Sequence, residues 1–308
     1  MQTSEELSRQ IKTAQDLHSV VRTMKALAAV KISELQSAVR SLAEYNRTVK
    51  MGLRVVLKNR PKKTRAAEPA GVGPLGAVVF GSDQGMCGQF NEEICSHALQ
   101  QIGHLTTGEA SPSVLVVGAR ATVRLVESGL AVEESFPAAA SIGGITPLVQ
   151  DLLLRIQTWR SERDIQRVVL LHNMQVSSAS YRPRTLHMLP LDPAWLTALE
   201  SDAWPSKVLP TFTMQWDRLF ATLVRQYLLV SLYRAGAESQ ASENAARLVS
   251  MQAAEKNIEE RLRDLAAEFH HVRQTSITAE LLDIVAGFEA LTGEEEQATD
   301  GQTQIPPP

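Results

Sequence analysis

Residues 4–58 read SEELSRQIKTAQDLHSVVRTMKALAAVKISELQSAVRSLAEYNRTVKMGLRVVLK, a stretch with no proline and with Gly52 as its only glycine. Apolar residues recur in steps of three and four, at Leu7, Ile11, Ala14, Leu17, Val21, Met24, Ala28, Ile32, Leu35, Val39, Leu42, Tyr45, Val49, Leu53 and Val56. Such a stripe is the seam of a helix packed against a partner helix. Ser4 is the expected N-cap, with Glu5 and Glu6 facing the positive end of the helix dipole. Roughly 50 helical residues at 1.5 Å each span about 75 Å, wider than a single globular core, so part of the helix is expected to lie outside one.

The other end of the chain repeats the pattern. No proline occurs between Pro210 and Pro306, and a second seam runs Phe212, Trp216, Leu219, Leu223, Tyr227, Val230, Ala237, Ala241, Ala245, Leu248, Met251, Ile258, Leu262, Leu265, Phe269, Val272, Ala279, Leu282 and Val285. Residues 235–254 are rich in alanine and include Gly236. This suits either a close helix–helix approach, a tight sleeve, or simply high helix propensity. Towards its end Leu281, Leu282, Ile284, Val285, Phe288 and Leu291 leave few polar positions. An exposed apolar tip of this kind is an aggregation hazard unless a partner encloses it. Two long helices separated by an insert predict an antiparallel coiled coil that carries a small domain.

Between them, short apolar runs alternate with helical segments. Strands are expected at 77–80, 113–117, 130–136, 167–171 and 185–189, and helices at 91–102, 119–127 and 147–160, with Pro147 in a first turn. That alternation predicts a doubly wound, Rossmann-like α/β domain with a mostly parallel sheet. The expected divisions are an N-terminal helix over 1–60, a linker over 61–76, the α/β domain over 77–205, a C-terminal helix over 206–292 and a disordered tail over 293–308.

The chain has 308 residues and a formal charge of −3, which argues against a nucleic-acid binder. The basic run around Lys62 and Lys63 is short and has no interleaved aromatics. No apolar run reaches 18 residues, and no signal or transit peptide precedes the first helix, an arrangement expected of a bacterial protein. Cys87 and Cys95 lack zinc-ligand spacing and are expected to be buried or inert thiols in a reducing compartment. His270 and His271 are adjacent, so on a helix they point about 100° apart and cannot chelate one ion together. The loop Gly81-Ser82-Asp83-Gln84-Gly85-Met86-Cys87-Gly88 follows a strand and precedes a helix, where phosphate-binding loops sit. It matches neither a P-loop, a dinucleotide fingerprint nor a nucleophile elbow. It reads as a structural turn whose glycines take positive φ. No active site, cofactor site or metal site is expected.

Three blocks carry a resemblance to the γ subunits of F-type ATP synthases. Residues 24–31, MKALAAVK, resemble the family's MKMVAASK; residues 82–88, SDQGMCG, resemble its SD-[RK]-GLCG loop; and residues 242–251, SENAARLVSM, resemble its SExAARMVAM, followed by RQTSITAEL at 273–281. The blocks stand in the family's order and cover nearly the whole chain. Val30 replaces the usual serine, Gln84 stands where a basic residue is common, and Gln252-Ala253-Ala254-Glu255 departs from the usual continuation. These departures suit a divergent branch, such as the alternative, sodium-linked bacterial enzymes.

The resemblance implies a central rotor shaft that couples ion flow to ATP synthesis or hydrolysis on a ring of three α and three β subunits, on the cytoplasmic face of the inner membrane. It implies a non-catalytic subunit whose partners also include the ε subunit and the membrane c-ring. Met24, Lys25, Arg273, Gln274, Thr278 and Glu280 match positions that contact the β subunits. Leu281, Leu282, Ile284, Val285 and Phe288 would turn in an apolar sleeve. Two other classes compete with this reading: a coiled-coil scaffold with an α/β head, and a nucleotide-binding enzyme built on the middle segment. Direct nucleotide titration of the middle segment separates the last; the expected result is no binding, and saturable binding would favour the enzyme.

Overall fold

The computed structural model describes residues 3–61, 73–106, 111–177 and 180–300, with side chains described as far as residue 287. Its elements are α1 (Ser4–Lys58), β1 (Leu75–Phe80), α2 (Phe90–Leu105), β2 (Ser113–Val117), α3 (Ala119–Glu127), β3 (Glu134–Phe136), α4 (Ile142–Glu162), β4 (Arg167–Gln175), β5 (Tyr181–Leu189), α5 (Pro193–Ser201) and α6 (Trp216–Asp300). They fall into two compact units, Met1–Thr23 with Ala253–Pro308, and Met24–Gln252.

Thr3, not Ser4, caps α1. The Glu6 amide donates to Thr3 Oγ1 at 3.3 Å, while the Thr3 amide donates to the Glu6 carboxylate at 3.1 Å. This reciprocal capping box satisfies two amides that the helix leaves open, and it makes Ser4 the first helical residue.

In the first unit Leu7 and Val21 of α1 and Leu265 of α6 are buried, and His18 meets Glu259 at 3.4 Å. Beyond Val272 every described side chain of α6 is exposed, so Ala279, Leu282 and Val285 of the expected seam lie uncovered. Leu17 is also exposed, at 53%. A stripe of threes and fours drifts around a helix of 3.6 residues per turn and there leaves the contact line.

In the second unit α1 and α6 run antiparallel. The Tyr45 hydroxyl donates to Gln226 Oε1 at 3.1 Å and the Trp216 indole donates to the Val56 carbonyl at 2.8 Å, so the partner number falls as the α1 number rises. Reaching Gln226 leaves the Tyr45 ring half exposed, another departure from the seam. Val49, Leu53 and Leu57 form a cluster with Leu199 of α5, and Trp195 of that helix stacks on Tyr227 at 4.9 Å. Sequence periodicity did not predict α5, which is too short to show a seam.

The sheet has the order β3-β2-β1-β4-β5. β1 pairs in parallel with β2 and β4, β2 with β3, and only the edge strand β5 is antiparallel. Every residue of β1 is buried, as a central parallel strand covered on both faces requires. Ala77, Val79, Val114 and Val116 face Ile94, Ala98 and Leu125 of α2 and α3. Val78, Phe80, Leu115 and Val117 face Leu152 and Ile156 of α4 and Leu232 and Ala241 of α6. Each face thus carries helices, which makes the domain doubly wound. Gly236 is not forced by contact, since a Cβ there would lie at an ordinary 3.6 Å from Phe80 and Ile145, but Ala235, Ala237 and Ala241 are buried in this core. The alanine-rich stretch therefore packs a helix onto an α/β layer.

Several expected boundaries move. β1 starts at Leu75, within the expected linker, of which residues 62–72 lie outside the described residues. β3 covers only Glu134–Phe136, and β4 and β5 are longer than expected because they form a hairpin. α4 begins at Ile142, which places Pro147 inside the helix and costs the bond its amide would have made to the Gly143 carbonyl. α6 starts at Trp216 and stays helical past Gly293 to Asp300; residues 301–308 of the expected tail lie outside the described residues.

Leu53→Ala, at a fully buried position, should cost about 2–5 kcal/mol. Leu281→Ala, at an exposed one, should change stability by no more than about 0.5 kcal/mol. Urea-induced unfolding of the two variants checks this; equal losses would mean that α6 beyond Val272 contributes to the folded core.

Candidate functional site

The glycine-rich loop leaves β1 at its C-terminal end, the edge where open α/β sheets bind ligands. Gly81 follows Phe80, and a side chain there would come within 2.2 Å of Ala121 Cβ. Gly118, at φ +105°, abuts the Ser82 backbone from the loop after β2. Of the loop's own glycines only Gly88 takes a positive φ, at +58°; the other left-handed residue is Met86. Gly81 is therefore required by close approach rather than by conformation, which corrects the expectation for this loop. Gly85 meets only the far end of Arg120, so its small size is not forced by contact.

Side chains then tie the loop down. Ser82 Oγ donates to the Gln84 carbonyl at 2.9 Å and accepts from Asn91 Nδ2 at 2.7 Å. Asp83 accepts from the Ala119 amide at 2.8 Å through one oxygen and from the Ala138 amide at 2.9 Å through the other. One carboxylate thus fastens the loops that follow β1, β2 and β3. Both its oxygens are engaged, which leaves it poorly placed to act as a base or ligand. Cys87 packs beside Phe90 and Ala246, and burial pushes its thiol above the ordinary value. Burial pushes Cys95 up to about 11. Both are free, buried thiols held in the unreactive protonated form.

What fills the crevice above the sheet is α6 itself. Ser239 Oγ donates to the carbonyl of Phe80 at 3.3 Å, and Ser242 Oγ donates to that of Asn173 at 3.1 Å. His172 of β4 meets Glu238 at 2.9 Å, and Arg234 meets the same carboxylate at 2.7 Å. Arg247 pairs with Glu243 at 2.7 Å and donates to the Gly85 carbonyl at 3.4 Å. The two acids respond differently to this burial. Desolvation raises both, but hydrogen bonds from His172 and Arg234 outweigh it at Glu238 and leave that carboxyl below its usual value. Glu243, more deeply buried and close to Asp83, stays above its usual value despite Arg247.

The three sequence blocks meet here. Lys31 of the first, Asp83 and Gln84 of the second, and Glu243 and Arg247 of the third line one cavity of about 170 Å³. The space left is small; Glu243 is paired with Arg247 and Asp83 is held by two amides, while Lys31 and Glu34 also line it. Sequence reading located the blocks but not the convergence, and it missed His172, Glu238 and Arg234, which no local pattern joins.

The other expected site residues lie apart. Met24 and Lys25 are half-buried on α1, at the start of the second unit. Arg273, Gln274, Thr278 and Glu280 belong to the first unit and are all exposed on α6. Thr278 Oγ1 donates back to the Gln274 carbonyl at 2.8 Å, and Glu280 accepts from Ser276 at 3.5 Å. Leu281, Leu282, Ile284 and Val285 are 58%, 61%, 72% and 43% exposed. The side chains of Phe288 and Leu291 lie outside the described residues. His271 faces Thr275 and His270 faces Phe269, so the two histidines do not converge. A different histidine, His18, lies with Glu255 and Glu259 in a group whose ligand-type atoms are all within 4.8 Å of one another. Sequence spacing could not show it, because its members come from opposite ends of the chain.

The family model for ATP synthase matches residues 3–291. ATP synthase gamma chains from two strains of Bacteroides fragilis are 26% identical over 300 residues, covering 94% of this chain and all of each relative. Among solved structures, a chain of the Euglena gracilis mitochondrial ATP synthase assembly of OSCP, F1 and c-ring aligns with a TM-score of 0.61 at 19% identity, over 95% of both chains. A chain of the rotor of the same enzyme aligns with a TM-score of 0.52 at 17% identity, over 89% of this chain and 98% of that one. At those identities the structures speak for the fold alone. The match of the family model along nearly the whole chain establishes that this protein belongs to the ATP synthase family.

Proposed function

We propose that the chain is the γ subunit of a bacterial F-type ATP synthase, the rotor shaft that couples ion flow to ATP chemistry on the surrounding α and β subunits. The observation that carries this reading is a division of labour. The crevice where an α/β domain would hold a ligand is filled by the chain's own α6, whereas Leu281, Leu282, Ile284 and Val285 are exposed and unused by the fold. A surface of that kind serves a partner that encloses it. No helix among the described residues is long and apolar enough to cross a membrane, which suits a subunit held peripherally on the cytoplasmic face of the inner membrane through ε and the c-ring.

The mechanism needs no reactive group on this chain. A ring of three equivalent catalytic sites, contacted by a shaft without threefold symmetry, presents each site with a different set of contacts. A contact that favours one conformation of a site by a differential free energy shifts that site's population. Turning the shaft passes the bias to the next site, so binding changes at the ring and rotation of the shaft are reciprocal. Arg273, Gln274, Thr278 and Glu280 are placed to make exposed polar contacts that break and reform. Solvent screening keeps each of them weak, as a moving contact requires. Met24 and Lys25 offer a second contact on α1. The apolar stretch beginning at Leu281 supplies a non-directional surface with no preferred angular position.

The double substitution Arg273→Ala with Gln274→Ala should leave the helix content of the chain unchanged by circular dichroism. It should lower rotation-coupled ATPase activity, or recovery of the assembled complex, by roughly tenfold, the effect of losing about 1.4 kcal/mol of contact. Wild-type assembly together with wild-type ATPase activity in that variant would defeat the assignment of these residues.

A further inference from the structure

Between α4 and the first turns of α6, beside the end of β5, lies a slot of about 420 Å³ that opens to solvent. Its floor is made by Leu153, Ile156, Leu189 and Leu228, all buried, and its walls by half-buried Phe220 and Val224. The α4 contributors, residues 153, 156, 157 and 160, recur at helical spacing along one face, as do the α6 contributors 220, 221, 224, 225 and 228. Each stripe covers two turns, so the slot is about 10–12 Å long. Arg160 and Arg225 stand exposed at its rim, and among the described residues neither enters an ion pair. Arg155 and Arg124 of the same unit are matched with Glu134 and Glu92, whereas Arg120 and Arg218, like Arg160 and Arg225, have no acid beside them among the described residues.

An aliphatic floor excludes a charged or sugar-like ligand from the interior, because no polar group there could replace the water it would lose. Two unpaired guanidinium groups at the rim favour an anion at the mouth. The volume lies within the range of about 300–1,000 Å³ typical of small-molecule sites, and the length matches a medium alkyl chain laid along the helix faces. We propose that this slot binds a single-chain anionic amphiphile of the fatty-acid type, with its alkyl chain against Leu153, Ile156, Leu189 and Val224 and its carboxylate at Arg160 and Arg225. The proposal stands independently of the rotor reading, since every residue it uses lies within the second unit.

Titration calorimetry of the full chain with decanoate, below its micelle concentration, tests it. One saturable site per chain is expected, with octanoate weaker by roughly tenfold because two fewer methylenes are buried. Decanol, which lacks the charge, should bind roughly tenfold more weakly than decanoate. Ala221→Trp, at an exposed lining position, should fill the slot and abolish decanoate binding while leaving circular dichroism and the melting temperature unchanged. The double variant Arg160→Gln with Arg225→Gln should keep the decanol affinity and lose the preference for decanoate, which also decides the matter should Ala221→Trp disturb the fold. Absence of saturable binding to the wild type overturns the proposal. So does decanoate binding that survives in a folded Ala221→Trp chain, which would place the ligand on the exposed apolar stretch of α6. Self-association in light scattering that Ala221→Trp abolishes would likewise overturn it, by assigning the slot to a second copy.

Discussion

The second unit depends on α6 lying in the crevice at the C-terminal edge of its own sheet. That position buries Glu238, Ser239, Ser242, Glu243 and Arg247, and each must find a partner or cost the fold its desolvation. Glu238, Ser239, Ser242 and Arg247 find partners in β1, β4 and the loop after β1, and Glu243 pairs with Arg247 on α6 itself. Breaking one member of such a network leaves another buried and unmatched, so the arrangement resists small displacements of the helix. A buried ionic network of this kind adds little net stability compared with an apolar contact. What it supplies is a defined register between helix and sheet. For the rotor shaft proposed above, that register would keep the helix from sliding or rolling on its head.

The same constraint bears on the crevice of the α/β head. A doubly wound sheet with the order β3-β2-β1-β4-β5 has its crevice where the connections diverge from β1. In enzymes of this architecture that crevice is left open for a ligand. Here Asp83 spends both carboxylate oxygens on the amides of Ala119 and Ala138, and Arg247 spends its charge on Glu243. The fold retains the geometry of a binding site but uses it to hold a helix.

Much of this was legible in the amino-acid order because local physics dominated. The proline-free seams gave α1 and α6, and the strands at Ser113–Val117 and the helix at Ala119–Glu127 fell where the period changes from two to 3.6. The failures have specific causes. Thr3 caps α1 in place of Ser4 because the carboxylate that completes the capping box is Glu6, three residues beyond Thr3. Pro147 reads as a helix start by local preference, yet α4 begins at Ile142 because Ile145, Leu148, Val149 and Leu152 all bury one face. Leu17 and Tyr45 fit the seam by spacing but not by phase. Within the site, Gly81, Ser82, Asp83 and Gly88 could be named from the motif, but the convergence of Lys31, Asp83 and Arg247 could not. It depends on contacts between residues far apart in sequence, which no local window contains.

On the proposed reading, the exposed α6 surface exists to be enclosed by an ATPase ring. Co-expression of this chain with the α and β subunits of a bacterial F-type ATP synthase, followed by native mass measurement and ATPase assay of the purified assembly, is the decisive test. The account predicts one copy of this chain for every three α and three β chains, with ATPase activity that depends on its presence. A chain that enters no ring, and instead pairs with itself through Leu281, Leu282, Ile284 and Val285, would contradict it and identify a coiled-coil scaffold.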